Sequence, residues 1–175
     1  MTRKTTLRPP PLTLLDKYHG KEIQTLYSTT VTVTGGEASH GRASGVARSD
    51  DGQLSVDLRL PKALGGSGGG TNPEQLFAAG YAACFHGALS LLAARAAIPI
   101  LGASVGVTVD FGRDPMDGLF VLTARMRVHL PGVERILAEE LVRNAERFCP
   151  YTKMTKQGIA SVVSLAEPDR GVDRT

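Results

Sequence analysis

Cysteine, long apolar runs and concentrated positive charge are all scarce in this sequence, and each scarcity removes a class of protein. Two cysteines among 175 residues are too few for the disulfide framework of a small secreted domain. No apolar run approaches the roughly 18 residues of a membrane span. Residues 1–20, MTRKTTLRPPPLTLLDKYHG, carry no continuous apolar stretch ahead of their prolines, so we expect no secretory signal, no membrane association and a cytoplasmic location. The net charge is only +3, with a pI near 9.0. Arg48, Arg59, Lys62, Arg95 and Arg113 are scattered among acids, without the basic stripe that nucleic-acid binders carry. Arg3, Lys4 and Arg8 do cluster, but in a tail. No nucleic-acid partner is expected.

What remains is ample for one core. At 42% apolar, the chain is long enough for a single globular domain. Residues 1–22 read as an extension, because Pro9, Pro10 and Pro11 exclude helix and favour an extended segment. Residues 23–167 form the expected domain, and residues 168–175 a polar tail. There are no internal repeats. The β-branched alternation of residues 23–34 predicts a strand, followed by strands over 41–47 and 54–60, the last after the Asp50–Asp51–Gly52 turn. Three such strands make an antiparallel meander.

GGSGGGTNP, residues 65–73, follows. It lacks the GK[ST] of a phosphate-binding loop, and we read it as a flexible crossover. Asn72, Pro73 and Gln75 are a strong helix start, combining an N-cap, a first-turn proline and a residue that can reach back to the cap. This helix should run to about Ala97, with Phe77, Tyr81, Cys84, Ala88 and Leu91 on one face. Gly80, Ala82, Ala83 and Gly87 would let another backbone approach it closely. A hairpin over 104–111 and 119–130 comes next, turning through residues 114–118. An amphipathic helix over 133–148 should point Val133, Ile136, Leu137, Leu141, Ala145 and Phe148 inward, and a last strand is expected over 159–165. Runs of strands with segregated helices predict an α+β fold.

Cys84 lies inside the long helix and Cys149 at the end of the second one, before Pro150. Thiol redox chemistry needs such a pair, yet cysteine is also a common small core residue, and position alone leaves both readings open. The histidines add little. His86 points about 200° away from Cys84 on a helix, while His19, His40 and His129 fall in the tail, a loop and a strand. With no CxxC and no histidine at ligand spacing, no metal is implied.

TNPEQLFAAGYAACF, taken with FCPYTK and DLRLPKALGG, resembles the organic hydroperoxide resistance proteins, the Ohr branch of the Ohr/OsmC superfamily. The similarity runs from about residue 25 to 165, and AAGY and CPY favour Ohr over the OsmC branch. The resemblance implies an OsmC/Ohr-like fold with antiparallel sheets around a long central helix, in an intertwined homodimer. It implies a thiol peroxidase that reduces organic hydroperoxides to alcohols, with no bound cofactor and with dihydrolipoyl groups of lipoylated proteins as the reductant. Cys84 then matches the peroxidatic cysteine and Cys149 the resolving one, which would form a disulfide with it.

The family also uses an arginine paired with a carboxylate. Here Glu37 stands where that arginine commonly follows Gly35–Gly36, ahead of an insertion-like ASHGRASG, and Arg42 within that stretch restores the family's spacing to the peroxidatic cysteine. Arg42 is the candidate, with Arg48 as the alternative, and Glu74 matches the carboxylate. On a continuous helix Glu74 and Cys84 are separated by roughly 15 Å along the axis and about 80° around it. Glu74 can therefore serve a pocket at Cys84 only if the helix is interrupted or a second subunit supplies it. Phe77, Tyr81, Phe85, Phe148 and Tyr151 are candidates for an apolar substrate pocket suited to alkyl and fatty-acid hydroperoxides. The competing functions are an OsmC-type peroxidase with another substrate range and a redox-sensing domain without turnover.

Overall fold

The computed structural model describes residues 18–36 and 44–166. Its elements are β1 (Val31–Thr34), β2 (Gly45–Ser49), β3 (Ser55–Leu58), α1 (Pro73–Arg95), β4 (Ser104–Arg113), β5 (Phe120–His129), α2 (Arg135–Phe148) and α3 (Pro150–Gln157). β1, β2 and β3 form an antiparallel meander in which Thr32 faces Arg48 and Val46 faces Asp57. β4 and β5 form a separate hairpin with Val107 opposite Met126. The α+β expectation holds, with the long helix at the centre. The extension before residue 18 and the tail after residue 166 lie outside the described residues.

α1 starts as its sequence dictates. The Asn72 side chain accepts a 2.9 Å hydrogen bond from the Gln75 backbone N–H, and Pro73 sits in the first turn. Gln75 reaches back one residue further than a capping box would: its side-chain oxygen accepts from the Thr71 hydroxyl at 3.0 Å. At the other end Ile98 N–H bonds to the Ala93 carbonyl at 2.9 Å, and Ala97 takes a left-handed φ of 54°. That is a Schellman-type stop built with alanine in the place glycine usually fills.

The core belongs to α1 and the elements around it. Tyr81, Phe85, Ala88, Leu89, Leu92 and Ala93 of α1 cluster with Leu141, Ala145 and Cys149, and Val105, Val107, Met126 and Val128 of the hairpin pack on them. Fully burying a side chain such as Leu89 is worth ~1.5–3 kcal/mol. By length and composition α1 could cross a membrane, but one of its faces is buried as the core helix of this body. Leu91, expected on that face, is exposed instead.

The glycine-rich crossover is pinned rather than flexible. Arg59 N–H bonds to the Thr71 carbonyl at 2.8 Å, and Thr71 N–H returns to the Asp57 carbonyl at 2.9 Å, so the loop closes on itself at the end of β3. A Cβ on Gly66 would fall on the Leu60 carbonyl, and one on Gly70 would stand 2.6 Å from the Asp57 carbonyl. Glycine is required there by close backbone approach.

Several expectations are corrected. β1 is four residues long, and residues 23–30 form no strand, as do residues 159–165. A strand needs a neighbouring edge to take its backbone hydrogen bonds. Among the described residues, 159–165 lies beside no strand. Of residues 23–30, Thr30 alone accepts a backbone bond from the β2 end, from Asp50 N–H at 2.9 Å. In α2, Ile136 (67% exposed) and Phe148 point outward, whereas Leu141 and Ala145 are buried as expected. α3 was not anticipated at all. Its signals are Pro150 in the first turn and Gly158, at φ 79°, just past the end.

Candidate functional site

The two cysteines meet. Cys84, at the middle of α1, and Cys149, the residue between α2 and α3, place their sulfur atoms 3.4 Å apart. Both are free thiols. An S–S bond is about 2.05 Å long, so a shift of little more than an ångström links them. Local chain geometry sets this up. Pro150 ends α2, since the residue before a proline avoids helical angles, and Cys149 takes extended φ and ψ of −69° and 119°. The chain turns there, aiming the first turn of α3 at α1.

Cys149 is fully buried (0% exposed), while Cys84 is partly buried. Burial pushes the Cys84 thiol above its ordinary range. The Tyr151 backbone N–H pulls the other way, and neighbouring Cys149 again raises it. That amide belongs to the first turn of α3, where helix N–H groups lack intrahelical partners. It is the contribution sequence reasoning missed, because it follows from α3.

An aromatic wall adjoins the thiols. Phe77, Tyr81 and Tyr151 form a triangle with ring centroids 6.0, 6.1 and 6.5 Å apart. Tyr81 hydroxyl and Thr152 hydroxyl share a buried 3.2 Å hydrogen bond. Thr152 is a second residue the sequence did not single out. Of the other pocket candidates, Phe85 is buried deep in the core and Phe148 faces outward.

Glu74 sits in the first turn of α1, and α1 runs unbroken past Cys84. Interruption of the helix is thereby excluded as a way to bring the two together. Arg42 lies outside the described residues, as do Glu37 and His40. Arg48 is exposed on β2. A cavity of about 800 Å³ opens between Thr34–Gly36, Ser44–Val46, Arg59 and the glycine loop, and another of about 390 Å³ lies between Val128 and Val142; neither is lined by a cysteine. Among the described residues, no three His, Cys, Asp or Glu side chains gather as a metal site would need.

Known proteins share this arrangement of sequence and fold. The profile of the OsmC-like protein family matches residues 66–164. The organic hydroperoxide resistance protein of Xanthomonas axonopodis pv. citri is 41% identical over 81% of this chain and 95% of its own length. Organic hydroperoxide resistance protein OhrB of Bacillus subtilis is 41% identical over 77% of this chain and 93% of its own. The crystal structure of OhrB superposes with a TM-score of 0.64, covering 76% of this chain and 93% of that one. An organic hydroperoxide resistance protein from Legionella pneumophila, 38% identical, superposes with a TM-score of 0.68 over 77% of this chain and 93% of its own.

Proposed function

Because the chain belongs to the OsmC-like family and to its organic hydroperoxide resistance branch, we propose that it is a cysteine-based peroxidase that reduces organic hydroperoxides to alcohols. The observation that carries this reading is the 3.4 Å separation of Cys84 and Cys149 sulfurs inside a formed core. In the proposed cycle the Cys84 thiolate attacks the distal peroxide oxygen. The O–O bond breaks, the alkoxide leaves and takes up a proton as alcohol, and Cys84 becomes a sulfenic acid. Cys149, losing its proton, displaces hydroxide from that sulfur, so the S–O bond gives way to an S–S bond and water is released. A dihydrolipoyl group of a lipoylated protein then supplies two electrons and two protons by thiol–disulfide exchange, leaving as the cyclic disulfide.

Burial alone works against the first step, since it favours the neutral thiol. The Tyr151 N–H offsets this in part, and we assign the main offset to Arg42, oriented by a two-pronged hydrogen bond to Glu74. Since α1 is continuous, that Glu74 comes from the second subunit of an intertwined homodimer. Phe77, Tyr81 and Tyr151 supply the apolar wall, which suits alkyl and fatty-acid hydroperoxides. Residues 23–167 act as one domain in the cytoplasm, with 1–22 and 168–175 as appendages.

The test is turnover of cumene hydroperoxide with dihydrolipoamide or with a monothiol as reductant. The wild-type protein should turn over with the dithiol and poorly with the monothiol. Cys84→Ser should consume no peroxide above the protein-free rate, and Cys149→Ser about one equivalent before stalling. A single round of oxidation in the wild-type protein, with dithiol present, would mark a sensor and refute the enzyme.

A further inference from the structure

The contact between α1 and α3 has two rungs. On α1, Tyr81 precedes Cys84 by one turn; on α3, Cys149 precedes Thr152 by one turn. Cys84 meets Cys149 at 3.4 Å, and Tyr81 meets Thr152 at 3.2 Å. The helices thus pair like an antiparallel ladder, one rung of sulfur and one of hydroxyl.

The hydroxyl rung has the properties of a register pin. α3 is eight residues long, and Thr152 is its one buried side chain among the described residues. A helix so short has little stability of its own, so its placement depends on that anchor. An apolar anchor would serve for burial alone. A buried hydroxyl pays for desolvation unless it is bonded, which ties Thr152 to the one height on α1 where Tyr81 offers a partner. Gly80 completes the fit: a Cβ there would approach the Tyr151 hydroxyl to 3.0 Å, so glycine lets the Tyr151 ring stack beside Tyr81. The Lys153 N–H to Cys149 carbonyl bond, 3.1 Å, closes the first turn of α3, the turn that carries both Cys149 and Thr152.

We propose that the Tyr81–Thr152 hydrogen bond positions Cys149 for attack on oxidised Cys84, so that its loss slows disulfide closure and leaves oxidation of Cys84 itself unchanged. Thr152 is a positioning residue, since it acts through the placement of Cys149. In the step it serves, Cys149 thiolate forms the S–S bond while the Cys84 S–O bond breaks and hydroxide leaves as water. The inference rests on the peroxidase reading only for the origin of the sulfenic acid.

The test uses reduced, full-length protein and two oxidants. With cumene hydroperoxide, Thr152→Val should lose the Cys84 thiol at the wild-type rate. Its disulfide should close about tenfold more slowly, the effect of one buried hydrogen bond, and the sulfenic acid should become trappable by dimedone and drift to sulfinic acid. Thr152→Ser should restore closure. Tyr81→Phe combined with Thr152→Val should close no more slowly than Thr152→Val alone, as expected when both changes remove one interaction. The second oxidant, diamide, takes two electrons and two protons from the thiol pair without any peroxide, and closure should again slow about tenfold in Thr152→Val. Wild-type closure in Thr152→Val with both oxidants overturns the proposal. So does failure of Thr152→Ser to restore it, or an equal fall in Cys84 oxidation. Slowed closure with diamide, with no reaction toward cumene hydroperoxide in any variant, upholds the pin and refutes the peroxidase.

Discussion

The body built on α1 and the segments flanking it treat the same kind of residue in opposite ways. In the body, apolar side chains find partners: Leu89 and Ala93 are fully enclosed, and the hairpin, α2 and α3 all pack on α1. Along β1 and the two flanking segments, among the described residues, they stay exposed. Ile23 (94% exposed), Leu26, Tyr27, Val31 and Val33 lie open on one side, and Ile159, Val162 (94%), Val163 and Leu165 (96%) on the other. Single exposed apolar residues are ordinary, but contiguous runs of them mark an interaction surface. The comparison separates two sources of stability. The chain closes its own core around the thiols, and its outer strand-like segments carry a pattern that only another edge and another apolar face can satisfy. That division supports the proposed homodimer, with the thiol pair formed within one chain and the Glu74 partner delivered from the other.

Breaking the outer half should therefore have the largest effect. Val162→Asp with Leu165→Asp alters two side chains that stand almost fully exposed among the described residues, and substitutions at such sites ordinarily change stability by no more than about 0.5 kcal/mol. If a second subunit covers them, two buried contacts of ~1.5–3 kcal/mol each are lost. We expect the dimer to weaken at least about a hundredfold, by sedimentation, on the strength of those burial terms. Peroxidase activity should fall with it, while diamide still closes the Cys84–Cys149 disulfide. A fully active monomer would sink the shared site.

The same division explains what was legible in the sequence. Local chemistry was readable: Asn72 and Pro73 start α1 as expected, and the hairpin boundaries of β4 and β5 differ from the prediction by at most a residue or two. Patterns that depend on a partner were not. The apolar, β-branched run in residues 159–165 is a strand signal, yet among the described residues the segment has no edge to join. Ile136 and Phe148 fit an amphipathic face by spacing but lie beyond the strip that α1 covers. α3 was missed because its YTKMTKQ is too polar to show a helical stripe, although proline and glycine bracket it. For the site, motif resemblance picked out both cysteines and implied their pairing, and the fold places their sulfurs 3.4 Å apart. Thr152 left no mark in the pattern, because a threonine beside basic residues gives no hint of being buried.

A smaller effect is expected at Arg42, which tests whether the core alone can activate its thiol. Burial raises Cys84 above its ordinary range, so the protonated form is the one the fold favours. That contribution to stability is complete below the unfolded thiol's value, ~8.5, and is lost as pH rises through the higher folded value. Reactivity runs the opposite way, because only the thiolate attacks peroxide. Removing a nearby cation costs roughly one to two units of acidity. Arg42→Ala should then oxidise at Cys84 roughly tenfold to a hundredfold more slowly at pH 7. Its rate should keep rising with pH beyond the point where the wild-type rate levels off. Arg42→Lys should recover only part of the loss, since an ammonium cannot make the two-pronged bond to Glu74. Stopped-flow oxidation across pH reads both, and a wild-type profile in Arg42→Ala would move the role to Arg48.

The smallest effect compares two glycines on α1 itself. Replacing glycine by alanine inside a helix gains about 1 kcal/mol from backbone propensity when nothing opposes it. At Gly87, among the described residues, nothing lies within 4 Å of a new Cβ. At Gly80 the Tyr151 hydroxyl waits at 3.0 Å, and the ring behind it at 3.4 Å, held by the stack with Tyr81 and Phe77. A packed ring yields less readily than a flexible chain end, and a displacement of a few tenths of an ångström forfeits much of the contact energy on that side. In the Val162→Asp, Leu165→Asp background, where no second subunit intrudes, Gly87→Ala should gain the full ~1 kcal/mol in urea unfolding. Gly80→Ala should change stability by less than about 0.5 kcal/mol, propensity and displaced ring nearly cancelling. Equal gains at both positions would mean that the Tyr151 ring is loosely held, and the tight face of α1 would then be no tighter than its open one.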